Sequence, residues 1–277
     1  YRSYDVDGDG DGLIDEGSIF ENGTSKNNNQ YSIFINSDIL LNDLNIISGL
    51  RYQYHDAYKD HIIPMISLCK KYDKYNLRST WSKGYRAPNL KELYYNWDHP
   101  GGTVLGNSNL EPEESEYLSL SIESVKDFYY SINLYYNSLN DMISYITDGT
   151  THTYTNFEEV SLMGMNLFYK RKLFNRAEFT FSYNYLDAYD HVLNAKLNGS
   201  NHHNLNIRLS YFISDKIKTR LAFKYSSPKQ YNTCVQNCDG DNDIYELSDF
   251  NLLDFSVRYD ISKFVSATFG IDNIFNY

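Results

Sequence analysis

Residues 204–225 read NLNIRLSYFISDKIKTRLAFKY, and the whole fold turns on how this stretch is read. Leu205, Ile207, Leu209 and Tyr211 alternate with Asn204, Asn206, Arg208 and Ser210. After a short break the alternation resumes, with Thr219, Leu221, Phe223 and Tyr225 against Lys218, Arg220 and Lys224. Successive side chains of a strand point to opposite faces, so this is the pattern of a hairpin with one apolar and one charged face.

The same period recurs along the chain. Leu44, Ile46, Leu50, Tyr52 and Tyr54 oppose Asn45, Gly49, Arg51 and Gln53. Phe179, Phe181, Tyr183 and Tyr185 oppose Glu178, Thr180, Ser182 and Asn184, and Leu253, Phe255, Val257 and Tyr259 oppose Asp254, Ser256 and Arg258. A β-sandwich would turn the apolar faces toward a dry core, whereas a membrane barrel turns them to lipid. A barrel also lines a wet lumen with the polar face and gathers aromatic rings at headgroup depth. The chain holds 28 Tyr and 15 Phe in 277 residues, and several apolar faces end in tyrosine, which favours the barrel. It contains no run of eighteen apolar residues, hence no transmembrane helix, but barrel strands are too short and too polar for that test to reveal.

Connector lengths test the barrel independently, because outer-membrane barrels have short turns on one rim and long loops on the other. The pattern places short connectors near 42–43, 71–74, 126–127, 170–176, 213–217 and 260–263, alternating with mostly longer ones near 55–61, 84–115, 147–153, 187–203 and 227–250. The expected fold is therefore all-β: a transmembrane antiparallel β-barrel contributing about twelve strands. Residues 1–30 fall to the outer rim as a loop, and residues 31–277 form a partial barrel that ends on an upward strand and lacks the final one. The start at Tyr1, without a signal-peptide pattern, fits a fragment.

A net charge of −11 disfavours nucleic acid and anionic surfaces as partners and points toward cations or small ligands. No nucleophile elbow, phosphate loop, zinc-protease helix or Rossmann fingerprint occurs, so no enzyme is expected. Cys234 and Cys238 are close enough for a local disulfide, and Cys69 stands alone in a strand-like run.

The most specific local motif is DVDGDGDGLIDE at 5–16, with Asp5, Asp7, Asp9, Gly10, Asp11 and Glu16 at the spacing of an EF-hand calcium loop. Asp5, Asp7 and Asp9 offer carboxylates, Asp11 a carbonyl, Gly10 the bend and Glu16 two oxygens. With no flanking helix pair, it reads as an isolated calcium loop. CVQNCDGDNDIYE at 234–246 offers Asp239, Asp241, Asp243 and Glu246 for a second ion, but Ile244 stands where the bend glycine belongs.

Two segments carry a family resemblance: YRAPNLKELYYNWDHPGG at 85–102 and GNSNLEPEESEY at 106–117. Paired boxes of this kind around one extracellular loop resemble those of TonB-dependent outer-membrane receptors, although Ser108 replaces the motif's proline. FYYSINLYYNSLNDMISYI at 128–146 and GIDNIFNY at 270–277 are similar to late-barrel segments of that family. The resemblance implies a 22-stranded barrel with a plug domain absent from this fragment, and nutrient import driven by TonB through that plug. Outer-membrane lipid would surround it, and a surface lipoprotein is a further partner to expect.

The boxes look most similar to those of haem-uptake receptors, with His99 in the position of the histidine between them; cobalamin and siderophores are the alternative cargoes. All seven histidines (His55, His61, His99, His152, His191, His202 and His203) fall in or beside outer connectors, and histidine is a common haem-iron ligand. His99 with Tyr94, Tyr95, Trp97, Tyr85 and Arg86 forms the candidate ligand-binding set, its aromatic faces suited to a porphyrin or corrin ring. Adjacent His202 and His203 point to opposite sides of an extended chain and make a poor joint metal site. A calcium-stabilised surface adhesin or a barrel hydrolase is the competing class.

Overall fold

A computed structural model describes residues 27–99, 101–124, 126, 128–192, 194–197, 199–200, 202–232 and 244–276. The acidic loop at 5–16, the cysteines Cys234 and Cys238, and Asp239, Asp241 and Asp243 lie outside the described residues.

Twelve strands form one antiparallel meander. In order across the sheet they are β1 (Gln30–Leu41), β2 (Leu44–His55), β3 (Lys59–Lys71), β4 (Tyr75–Arg86), β7 (Glu113–Ser124) and β8 (Tyr129–Asp148). The order continues with β9 (Thr151–Leu173), β10 (Ala177–Asp190), β12 (His203–Ser214), β13 (Ile217–Ser226), β16 (Phe250–Asp260) and β17 (Ser266–Ile271). Between β4 and β7 the chain makes helix α1 (Leu90–Tyr94) and a small hairpin, β5 (Asn96–His99) and β6 (Gly102–Leu105). β11 (Ala195–Lys196) folds back on β10, and β14 (Lys229–Asn232) with β15 (Ile244–Leu247) makes a separate hairpin.

Register confirms the two faces. One continuous row runs Tyr130, Tyr169, Phe181, Ile207, Phe223, Leu253 from β8 to β16. The neighbouring row on the opposite face runs Asn133, Asn166, Asn184, Asn204, Ser226. Among the described residues no second sheet covers the apolar face: Leu50 stays 47% exposed, Leu118 52% and Leu134 49%. The sandwich is thereby excluded, since its apolar faces would be buried. Among the described residues β1 and β17 each pair with one neighbour, so the sheet is an arc of a barrel.

The short rim matches the sequence reading, with turns at 42–43, 72–74, 174–176, 215–216 and 261–265, and with β7 ending at Ser124 only a few residues before β8 begins at Tyr129. The long rim differs in two places. β2 and β3 are joined by Asp56, Ala57 and Tyr58 alone, and β8 and β9 by Gly149 and Thr150. In both places the strands themselves run on beyond where connectors were expected. β8 has 20 residues and β9 has 23, against the roughly 9–11 that cross a bilayer. Their upper half therefore projects from the membrane as an extended hairpin, turned by Gly149 at φ 58 in the position that a two-residue turn reserves for glycine.

The last strand also stops earlier than expected, at Ile271. Asn273, at φ 53, turns the chain back so that its N–H donates to Asp254 Oδ1 and that of Ile274 to the Leu253 carbonyl.

Candidate functional site

Above the membrane band, residues 87–112 fold into a lid on the β8–β9 hairpin. Its first anchor is Asn89, which caps α1: the Asn89 side chain accepts from the N–H groups of Lys91 and Glu92, and Glu92 accepts from the Asn89 N–H. This reciprocal capping satisfies backbone donors that a one-turn helix cannot satisfy itself.

The same Glu92 carboxylate also receives Arg86. One guanidinium nitrogen donates to both Glu92 oxygens at 2.9 Å, while Arg86 Nε and the other terminal nitrogen donate to Glu113 at 2.5 and 2.8 Å. Glu113 Oε1 further accepts the Ile143 N–H at 2.6 Å. Arg86 thus ties the first box, the second box and the β8 extension at one point. Arginine suits this role because its planar fork meets two carboxylates at once. Arg86, a member of the expected ligand-binding set, forms this clasp with its side chain still 42% exposed.

The Gly106 N–H donates to the Tyr95 carbonyl and the Asn107 N–H to the Glu92 carbonyl, closing the end of α1. A side chain at Gly106 would place its Cβ 2.6 Å from the Tyr95 nitrogen and 2.7 Å from that of Tyr94. Only glycine allows this approach. Asn107 to Leu110 form a turn, with the Leu110 N–H donating to the Asn107 carbonyl and the Asn109 N–H to the Asn107 side chain. Ser108 occupies the turn position that proline favours, so its departure from the family motif leaves the turn intact.

Leu110, 2% exposed, then packs with Leu93 and Ile143, flanked by Tyr94 and Tyr154. Asn156 reaches across from β9 to hold both faces of Glu111, and the Tyr58 hydroxyl donates to the Leu110 carbonyl. Burial pushes the Tyr58 hydroxyl above its ordinary pKa, keeping it a donor.

The β5–β6 hairpin continues the lid. β6 lies parallel to the start of β9, pairing Thr103 with Thr151 and Val104 with His152. The backbone of His99 pairs with Gly102, whose open Cα leaves room for the Thr150 carbonyl of the β8–β9 turn. Two hairpin tips, one carrying His99 and the other leading to His152, therefore meet. His152 is held by Thr147, with Oγ1 2.9 Å from Nδ1, and by an edge contact with Tyr145.

The sequence-predicted ligand set consequently divides. Tyr94 belongs to the small apolar core, and Arg86 to the clasp. Tyr85 stacks on His61 at 3.7 Å, beside Glu114, and its hydroxyl is buried without a partner. Tyr95 and Trp97 lie 6.2 Å apart, Trp97 39% exposed and Tyr95 half-buried beside it. Glu92, Glu113, Asn107 and Tyr58 do as much to build the site, yet nothing marks them singly in the sequence. Among the described residues no group of three or more His, Cys, Asp or Glu side chains stands ready to hold a metal, and Glu246 is exposed.

A lipid-facing antiparallel arc with short turns on one rim and a clasped, strand-built lid on the other defines an outer-membrane β-barrel receptor scaffold. The family model described as "TonB dependent receptor-like, beta-barrel" matches residues 1–274, and the chain belongs to that family. It is 23% identical over 302 residues to an iron-regulated outer membrane virulence protein of Vibrio cholerae, covering 99% of this chain and 45% of that protein. It is 22% identical to the ferrienterobactin receptor of Escherichia coli, covering 89% of this chain and 36% of that one. A shorter match, 28% identical over 33% of this chain and 9% of the other, is to a hemoglobin-binding protein A of Haemophilus influenzae. Among solved structures, a ferric enterobactin receptor variant from Pseudomonas aeruginosa in complex with enterobactin superposes with a TM-score of 0.77 at 18% identity, over 91% of this chain and 40% of that chain. The chain spans less than half the length of these relatives.

Proposed function

We propose that this chain is the barrel of a receptor that captures an iron-bearing chelate at its outer rim and imports it with energy delivered through TonB, a siderophore being favoured over haem as cargo. The observation that carries the reading is the lid: two motif boxes clasped by Arg86 hold an exposed Trp97 beside a half-buried Tyr95 on a projecting hairpin. Rigid aromatic surface at a lumen mouth binds a flat or aromatic ligand at low entropic cost. The siderophore preference rests on the relatives that match nearly the whole chain, which are named for iron regulation and ferric enterobactin; the hemoglobin-binding relative matches only a third of it. No catalytic step enters this reading. Calcium on Asp5, Asp7, Asp9, Asp11 and Glu16 would order the acidic outer loop.

Haem is kept as a second reading because His99 and His152 lie at adjoining tips. The two are separated by growth. The complete receptor, expressed in a strain lacking other iron receptors, should support iron-limited growth on ferric siderophore, lose most of it with Trp97→Ala, and keep it with His99→Ala. Growth on haem alone, abolished by His99→Ala, would replace the siderophore with haem. Growth on neither would end the importer reading.

A further inference from the structure

The lipid-facing side of β9 reads Ser161, Met163, Met165, Leu167, Tyr169 and Arg171 at alternate positions, an apolar run bounded by a hydroxyl at one end and a guanidinium at the other. At about 3.3 Å per residue and a tilt of about 40°, the steps from Ser161 to Arg171 span roughly 25 Å along the membrane normal, the height of a barrel's apolar band. Arg171 therefore lies at the edge of that band nearer the short turns, which in outer-membrane barrels is the periplasmic edge.

No acid on its own face neutralises Arg171. The side chain is exposed, its register partner on β10 is Phe179, and Ala177 and Phe181 flank that partner on the same face. On β8 the neighbours are Phe128 and Tyr130. Among the described residues no carboxylate lies within ion-pair distance of Arg171. Lys70, a cation on the lipid face of β3 near the same rim, differs, because Asp43 lies 3.6 Å from it.

The surroundings of Arg171 also fix its place. Its Cζ lies 5.4 Å from the centre of the Phe128 ring, which meets Tyr130 at 5.8 Å and Tyr169 at 5.6 Å. Phe128 is held in turn by Ser124, 6% exposed, whose hydroxyl donates to the Phe128 carbonyl at 2.6 Å and accepts the Tyr130 N–H at 2.9 Å. A guanidinium resting on an aromatic face keeps its in-plane N–H donors free, and that planar fork grips a phosphate through two bonds at once. At this depth and on this face the phosphates are those of lipid headgroups. Arginine brings only donors, so it suits a headgroup whose phosphate has no ammonium of its own.

We infer that Arg171, on its Phe128 platform, binds the phosphate of an anionic glycerophospholipid in the periplasmic leaflet, making one lipid headgroup a fixed part of the barrel wall. The site depends on the barrel and its lipid face and is independent of what the receptor imports.

The test uses the complete receptor refolded in vesicles of equal phosphatidylglycerol and phosphatidylcholine, then extracted in mild detergent for native mass spectrometry, which counts the lipid left on the protein. Wild type should retain phosphatidylglycerol over phosphatidylcholine by about fivefold, the factor expected of one basic residue at a membrane surface. Arg171→Gln should abolish the preference, whereas Lys70→Gln should leave it unchanged because Lys70 already has Asp43. Excess inorganic phosphate should not displace the lipid, whose acyl chains hold it against the apolar band. Heat-modifiable gel migration reports that each variant is folded. Equal retention of the two lipids by wild type, a preference that survives Arg171→Gln, an equal loss in Lys70→Gln, or displacement by inorganic phosphate would each overturn the proposal.

Discussion

The membrane arc and the lid above it are built by opposite means. The arc is held by backbone ladders: β8 and β9 alone stay in register from Tyr129–Lys170 to Asp148–Thr151, and side chains need only present the right polarity to each side. The lid depends on a handful of named side chains, since α1 has five residues and cannot stand alone. Removing one side chain from the arc should matter only if it reverses polarity, whereas in the lid it should matter if it breaks a contact.

The largest effect should come from reversing polarity in the arc. Leu134 faces lipid, in line with Leu120 and Met165, and Asn133 beside it faces the lumen with Asn166. Leu134→Lys should destabilise the barrel by about 2–4 kcal/mol, the cost of a cation near the bilayer midplane, while Asn133→Lys should be nearly neutral. Urea midpoints of the refolded receptor in lipid vesicles measure both. Equal effects would mean that the two faces are not distinguished by lipid.

Next in size is the clasp. Arg86→Ala leaves Glu92 and Glu113 facing one another without a cation. Removing one partner of a buried pair costs several kcal/mol, but the Arg86 side chain is 42% exposed, so a figure on the order of 2 kcal/mol is expected after allowing for solvent screening. The loss should be local: protease should nick residues 87–112 faster while the heat-modifiable migration of the barrel is unchanged. Arg86→Ala/Glu92→Gln/Glu113→Gln should recover part of the loss, because the repulsion is gone.

The contrast also explains what could be read in advance. Strand period, the short rim and the facing of residues 204–225 are local properties, and each survives in the structure, whereas the alternation with long connectors fails at 56–58 and 149–150. The outer hairpins outrun the connectors expected of them because Thr, Tyr, Asn and His in residues 144–156 share the polarity of loops. The Thr and Tyr there are equally good strand formers, and Gly149 followed by Thr150 is the glycine-first pair of a two-residue hairpin loop. The lid could be located by its two boxes but not interpreted, since Arg86 meets Glu113 27 positions away and Leu110 packs on Ile143, contacts that no periodicity encodes. Of the motif residues expected to contact ligand, Arg86 and Tyr94 also build the platform, and Trp97 is the exposed aromatic beside a half-buried Tyr95.

The smallest effect lies at the seam between the two regions, where His55 ends β2 on the outer rim. Its ring is 2% exposed, and Nδ1 accepts the N–H groups of Ala57 and Tyr58 at 3.2 and 3.3 Å, holding the three-residue turn from which Tyr58 reaches the lid. Burial lowers the pKa of His55 below the ordinary 6.5, outweighing the nearby Asp56 carboxylate that raises it. A group kept neutral by folding contributes its full stabilisation above its unfolded pKa; that contribution declines as pH falls from 6.5 through the lower folded value, and no further loss occurs beneath it. The Ala57 and Tyr58 amides should therefore lose hydrogen-exchange protection, corrected for intrinsic rates, as pH drops from about 7.5 to about 5. His55→Asn, which keeps an acceptor but cannot titrate in this range, should flatten the profile. Protection in wild type that ignores pH would show that Nδ1 does not hold the turn, and the Tyr58 contact with the lid would then owe nothing to His55.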